Sequence, residues 1–250
     1  MNKRTPLRSV AVLTLLAGLA AGTANAADAK RIMVYGDSNS WGWIPVENGF
    51  PSTRYSEDQR WPGILRSELG EGYEVVDEAL SARTTNLPDP TLPNVTGAGL
   101  DGSAYLPAAL ATHLPLDLVI IMLGTNDTKA MFDRSAFGVA LGVGELVDIV
   151  QSTEGGVGTK YPDPRVLVLA PPPLGKLSPA MFQEMFEGGV EKSEQFGATF
   201  EAVAKAGGAD FLDLGKITPT DGVDGIHFSA AGQRKIGLAV AEKVKTIFKE

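Results

Sequence analysis

Short apolar runs alternate with longer stretches of helical period along most of the chain. Arg31–Tyr35 reads as a buried strand that runs out into Gly36-Asp37-Ser38, and Tyr73–Leu80 alternates as a second strand. Leu116–Leu123 (LDLVIIML) carries the β-branched content of a strand covered on both faces. Arg165–Ala170 and Asp210–Leu214 supply two more. Trp61–Leu69, with Pro62 in its first turn and Gly70 behind it, predicts a short helix. Ala136–Gln151 and Met181–Ala206 also read as helical, the latter broken at Gly188-Gly189. Ser229 is placed to cap a last helix to about Phe248, with Ile236, Val240, Val244 and Ile247 on one face. Strand and helix in alternation predict an α/β domain, a parallel sheet of about five strands with helices on both sides. Two long irregular stretches remain, Pro45–Arg60 and Leu87–Ser103. Loops of that length in a compact domain are usually functional or interfacial.

Residues Met1–Ala26 follow a different pattern. Lys3, Arg4 and Arg8 precede an apolar run, Val10–Ala21, and small residues, Ala24-Asn25-Ala26. That is the order of an export signal peptide, with cleavage expected after Ala26 or, as the near alternative, Ala27. The apolar run is about a dozen residues, against roughly 20 for a membrane span. The expected exported chain, periplasmic or secreted, is one domain over 27–250. Losing those three basic residues takes the net charge from −8 to −11. An acidic chain argues against nucleic acid as a partner. The absence of cysteine removes disulfides, thiolate metal sites, a cysteine nucleophile and a lipoprotein anchor.

Ligands of open α/β sheets sit beyond the carboxyl ends of the strands. Four segments fall there: Gly36-Asp37-Ser38, Ser81–Thr85, Gly124-Thr125-Asn126-Asp127, and the loop from Asp221 to His227. They supply a hydroxyl, backbone amides, a carboxamide, a carboxylate and an imidazole, the parts of an acyl-transfer site. A serine nucleophile needs a base that titrates near neutrality, and only His113 and His227 exist. His113 precedes the Leu116 strand and so belongs at its amino end, which leaves His227. Asp224, three residues before it, is spaced to reach Nδ1; Asp221 is spaced less well and suits a turn. Ser38 and Asn126 each admit two roles, turn residue or nucleophile and oxyanion donor respectively. Two histidines on opposite sheet edges argue against a metal site, and no cofactor motif is present: neither a Rossmann fingerprint nor a P-loop occurs.

Taken in order, Gly36-Asp37-Ser38-Asn39, Gly124-Thr125-Asn126-Asp127 and Asp224-Gly225-Ile226-His227 resemble the blocks of the SGNH (GDSL-type) hydrolases. Asn39–Pro45, Leu80–Thr85, Leu116–Asp127, Ala170–Pro173 and Asp221–His227 resemble more narrowly the bacterial arylesterase/acyltransferase branch. The resemblance implies a three-layer flavodoxin-like fold. It implies Ser38 as nucleophile, His227 as base and Asp224 as its orienter. The Ser38 and Ala82 backbone N–H groups and the Asn126 side chain would form the oxyanion hole. The implied activity is hydrolysis of small or aryl esters through an acyl-enzyme, with acyl transfer to alcohols beside hydrolysis by water. Carbohydrate acetylesterase, thioesterase and lysophospholipase activities of the same family are alternatives.

Two residues depart from the pattern. Asn39 stands where the group has leucine, and Ala82 where the second block has glycine; alanine is strained there if φ is positive. An α/β-hydrolase elbow requires G-x-S-x-G, and Ser40 occupies the place of the second glycine. A two-carboxylate glycosidase would leave Asn126 and His227 unexplained. A non-catalytic binding module on the same fold is the alternative from another class. Trp41 and Trp43 either line an apolar acyl or alcohol channel or serve as core or interface aromatics. The long loops, with Trp43, Phe50, Tyr55 and Tyr105 in or beside them, form either a lid or contacts between copies of a homo-oligomer.

Overall fold

A computed structural model describes residues 29–249. The expected signal peptide and its cleavage position lie outside the described residues. The elements are β1 (Lys30–Gly36), α1 (Ser38–Trp41), α2 (Trp61–Leu69), β2 (Tyr73–Ala79), α3 (Gly102–His113) and β3 (Leu118–Met122). They continue with α4 (Ala136–Gln151), β4 (Arg165–Ala170), α5 (Ala180–Met185), α6 (Gly189–Ser193), α7 (Phe196–Ala206), β5 (Asp210–Asp213) and α8 (Ala230–Phe248).

All five strands are parallel, in the order β2-β1-β3-β4-β5. Alternate residues of the central strands feed two cores. Met33, Tyr35, Val119, Ile121, Val166 and Val168 pack under α3, α4 and α7. Ile32, Val34, Leu118, Ile120, Leu167 and Leu169 pack under α2 and α8. The chain leaves β1 in one direction to reach β2 and crosses back to reach β3. Such a reversal opens a crevice beyond the strand ends, between β1 and β3. A smaller apolar cluster of Leu174, Phe182, Phe186 and Ile226 stands apart from both cores.

Ser229 caps α8 by accepting from the Gly232 N–H, and Ile236, Val240, Val244 and Ile247 are buried along it. Two expectations are corrected. The stretch Leu87–Ser103 is not irregular to its end, because α3 begins at Gly102, capped by Asp101 on the Ser103 and Ala104 N–H groups. The apolar residues of α3 are spread around the helix and Pro107 lies inside it, so no stripe marks it. The run Met181–Ala206 breaks twice: at Gly188 (φ 70°), as expected, and again at Glu194-Gln195 between α6 and α7.

Candidate active site

Gly36 ends β1 where α1 folds back over it; a Cβ there would lie 2.1 Å from Ser40 Oγ. Asp37 caps α1 by accepting from the Asn39 N–H (2.9 Å), and Ser38 follows as the first helical residue. Neither the Ser38 nor the Ala82 backbone N–H is taken up by a hydrogen bond among the described residues. The start of α1 leaves the Ser38 donor free, and the turn after β2 leaves that of Ala82 free.

Asp224 and His227 share one tight turn. Asp224 Oδ1 accepts from the backbone N–H groups of Ile226 and His227, both at 2.9 Å, and Oδ2 lies 2.7 Å from His227 Nδ1. Gly225 makes the turn at φ 76°, where a Cβ would lie 2.4 Å from the Lys176 carbonyl oxygen. Burial would raise the Asp224 carboxyl, but the hydrogen bonds and charge of His227 and the backbone N–H groups outweigh it and hold it below its ordinary value. An ionised carboxylate only accepts, so Nδ1 carries the proton and Nε2 is left as an acceptor. Ser38 Oγ lies 2.9 Å from Nε2. The structure thus brings Ser38, His227 and Asp224 into one chain. It leaves His113 elsewhere: its carbonyl accepts from Arg31 and its ring meets Glu78 at 2.9 Å. Asp221 instead anchors the start of α8 by accepting from the Ser229 N–H and hydroxyl.

Asn39, the departure beside the nucleophile, is buried and ties the two halves together. Its Nδ2 donates to the Ile226 carbonyl (3.2 Å) and its backbone carbonyl accepts from the Gln233 side chain (3.0 Å). Asn126 follows β3 with its Nδ2 donating to the Arg83 carbonyl at 3.2 Å and lying 3.5 Å from Asp37 Oδ2. One amide hydrogen is committed to Arg83, and the other has only the long contact. Ala82 sits at φ 69°, the left-handed region where an L side chain costs energy. Asp127, next to Asn126, is fully buried and accepts from the Thr85 N–H (3.0 Å), the Thr85 hydroxyl (2.5 Å) and Arg134 (3.0 Å). Burial pushes its carboxyl up against the Thr85 and Arg134 contacts. Burial likewise raises Asp37, to about 7.

Ser38, Ala82, Asn126 and His227 face a cleft that opens to solvent. Its other walls are mostly apolar: Trp43, Phe50, Phe182 and Phe186, with Leu92, Met185 and Ile226. Trp41 is corrected as a lining residue, because it lies outside the cleft wall, under the Arg54 guanidinium at 4.9 Å. Sequence reasoning missed Phe182, Met185 and Phe186, which belong to α5 and the turn behind it. It also missed the buried Lys129–Asp89 pair (2.6 Å), whose lysine lines the cleft. Among the described residues no group of three or more His, Cys, Asp or Glu side chains is placed to hold a metal ion. No described helix is long and apolar enough to cross a membrane.

A parallel sheet presenting serine, histidine and aspartate at its switch point, with an asparagine from the neighbouring strand, defines a serine-hydrolase class distinct from the nucleophile-elbow enzymes. The family model for GDSL-like lipases/acylhydrolases matches residues 34–235, and the chain belongs to that family. Among solved structures, an aryl esterase of M. smegmatis is 52% identical, with 87% of this chain and 99% of that one covered at a TM-score of 0.83. A carbohydrate acetylesterase from Sinorhizobium meliloti is 49% identical over the same shares, 87% and 99%, also at 0.83. No match was found among curated proteins.

Proposed function

We propose that the protein is a serine esterase that cleaves small or aryl carboxylic esters through an acyl-enzyme on Ser38. The observation that carries this reading is the chain Asp224–His227–Ser38, at 2.7 and 2.9 Å, opening onto an apolar cleft beside Asn126. Ser38 Oγ attacks the ester carbonyl carbon as its proton passes to His227 Nε2, and Asp224 stabilises the imidazolium. The carbonyl oxygen becomes an oxyanion, held by the Ser38 and Ala82 N–H groups and the second Asn126 amide hydrogen. The intermediate collapses, and the alcohol leaves with the proton from His227. Water then attacks the acyl-enzyme, His227 takes its proton, and the acid departs as Ser38 recovers its own.

An alcohol in the same place would give a new ester. The apolar walls favour an alcohol or aryl leaving group over a sugar, which supports aryl esters and acyl transfer ahead of the acetylesterase reading. Product partition between acid and ester with added alcohol checks this; ester no higher than the nucleophile ratio removes acyl transfer. Export rests on Met1–Ala26, and N-terminal sequencing of exported protein checks cleavage to a 27–250 chain. Assembly through the Pro45–Arg60 and Leu87–Ser103 segments is supported by the exposure of Phe50 and Tyr105, and light scattering checks it. The esterase itself is tested with p-nitrophenyl acetate: turnover by the wild type and loss in Ser38→Ala are expected. A wild type that neither turns over esters nor labels at Ser38 with a phosphonate overturns it.

A further inference from the structure

Arg83 takes no part in the reaction above, yet it is 2% exposed and follows Ala82 directly. Its guanidinium lies between two aromatic faces, 4.1 Å from the centre of Tyr35 and 5.3 Å from that of Tyr105. Nη1 donates to the Gly36 carbonyl at 3.1 Å and the Glu78 carbonyl at 2.5 Å, while Nε is buried without a partner. Its backbone N–H donates to the Leu80 carbonyl (3.2 Å), and its own carbonyl accepts from Asn126 Nδ2 (3.2 Å). Burial pulls its pKa below the ordinary value. A guanidinium held by carbonyls rather than by a carboxylate is a costly way to fill space, and a side chain of similar size without charge would fill it more cheaply.

These contacts fall on three segments. The guanidinium reaches Gly36, two residues before Ser38, and Glu78, which leads into Ala82; the Leu80 and Asn126 contacts are made by the Arg83 backbone, which any residue there would supply. Those segments carry the three donors assigned to the oxyanion hole. Ala82 is held at φ 69° between Leu80 and Arg83, whose hydrogen bonds close the turn on both sides. The planar fork and stacking surface of arginine suit this place in a way that the point charge of lysine does not. We propose that Arg83 is the positioning residue of the oxyanion hole: its guanidinium sets the Ser38 and Ala82 donors relative to one another and keeps Ala82 in the left-handed conformation that aims its N–H into the cleft. The proposal rests on the esterase reading.

Its test is kinetic, on the full protein with p-nitrophenyl acetate, comparing wild type, Arg83→Met and Arg83→Lys, each with Ala82 and with Ala82→Gly. A misplaced oxyanion hole lowers kcat and spares ground-state binding. Arg83→Met is expected to lose about 10²-fold in kcat with KM within about twofold. Arg83→Lys, which keeps the charge and loses the fork, is expected to lose about tenfold. The acid limb of the kcat/KM pH profile, set by the Ser38–His227–Asp224 chain, stays at its wild-type position. Glycine adopts positive φ without support, so the loss from Arg83→Met should shrink to about tenfold in the Ala82→Gly background. Equal losses in both backgrounds, or wild-type kcat in either folded Arg83 variant, overturn the proposal. A rise in KM or a shifted acid limb in place of the kcat loss also overturns it. A wild type without esterase activity would instead strike the reading beneath it.

Discussion

The indole of Trp43 lies against the imidazole of His227, with ring centroids 5.4 Å apart and planes 21° from parallel. Phe50 meets Trp43 edge-on at 5.7 Å, Phe182 meets Phe50 at 5.4 Å, and Phe186 meets Phe182 at 6.2 Å. One aromatic series therefore runs from the proposed base along a wall of the cleft. Trp43 closes one side of the imidazole to water, and its π face favours the imidazolium that forms when Ser38 gives up its proton.

Removing that face should slow acylation without dismantling the Ser38–His227 contact. Aromatic pairs contribute about 0.5–1.5 kcal/mol beyond the area they bury. Trp43→Ala is expected to lower kcat/KM for p-nitrophenyl acetate by about tenfold, and Trp43→Phe to keep most of it. Wild-type kcat/KM in Trp43→Ala would mean that the stack is packing alone.

At Ala82 (φ 69°) the site works against local preference. A left-handed L residue costs roughly 1–2 kcal/mol, and glycine gives back roughly 0.5–1 kcal/mol of that in chain entropy. Ala82→Gly is therefore expected to stabilise the fold by about 0.5–1 kcal/mol, or about 1–4 °C in Tm for a chain of this size. Calorimetry checks it, and an unchanged or lower Tm would place the strain elsewhere.

How much of this could be read beforehand follows from the distance along the chain over which each feature is encoded. Pro62 and Gly70 bracket α2, and Ser229 caps α8, all within a turn of the element they delimit. Asp224 and His227 were legible because a single turn joins them, and Ser38 and Asn126 because parallel topology delivers them to one edge. Arg83 lies in the Ser81–Thr85 segment at the sheet edge, but its contacts were hidden: its partners Gly36 and Asn126 are 47 and 43 positions away. The same holds for Asp89 and Lys129, 40 positions apart, and for the α5 residues that reach the cleft. Helix α3 was hidden for another reason, because an internal Pro107 and scattered apolar positions erase the period that marks a surface helix.

The Lys129–Asp89 pair fastens the segment carrying Leu92 to the turn carrying Asn126, with side chains 3% and 0% exposed. Burial alone would raise the Asp89 carboxyl, and the Lys129 and Thr91 contacts outweigh it and hold it down. Breaking one side of a buried pair costs about 3–5 kcal/mol, whereas removing both charges is far milder. Lys129→Met should thus destabilise by about that amount in urea unfolding, and Asp89→Asn with Lys129→Met should recover most of it. Additive losses in the double variant would contradict a direct pairing.

Asp37 gives the fold a pH dependence opposite to that of an ordinary salt-bridged carboxylate. Burial raises it from 3.8 to about 7, ahead of the Asn39 N–H that lowers it and the Asp127 charge that raises it. Its folded value lies above its unfolded one, so folding takes up a proton there. The stabilisation is fully present below about pH 4 and is lost as pH rises through about 7, by at most about 4 kcal/mol. Asn is as good a cap as Asp and carries no charge, so Asp37→Asn keeps the start of α1 while removing the titration. The Tm of Asp37→Asn relative to wild type is expected to climb between pH 4 and 8, by several degrees, with most of the change before pH 7. Asp127, also raised, titrates in both proteins and cancels from the difference except for its coupling to Asp37. Parallel Tm curves across that range would show that the Asp37 carboxyl ionises in the folded protein as freely as in water.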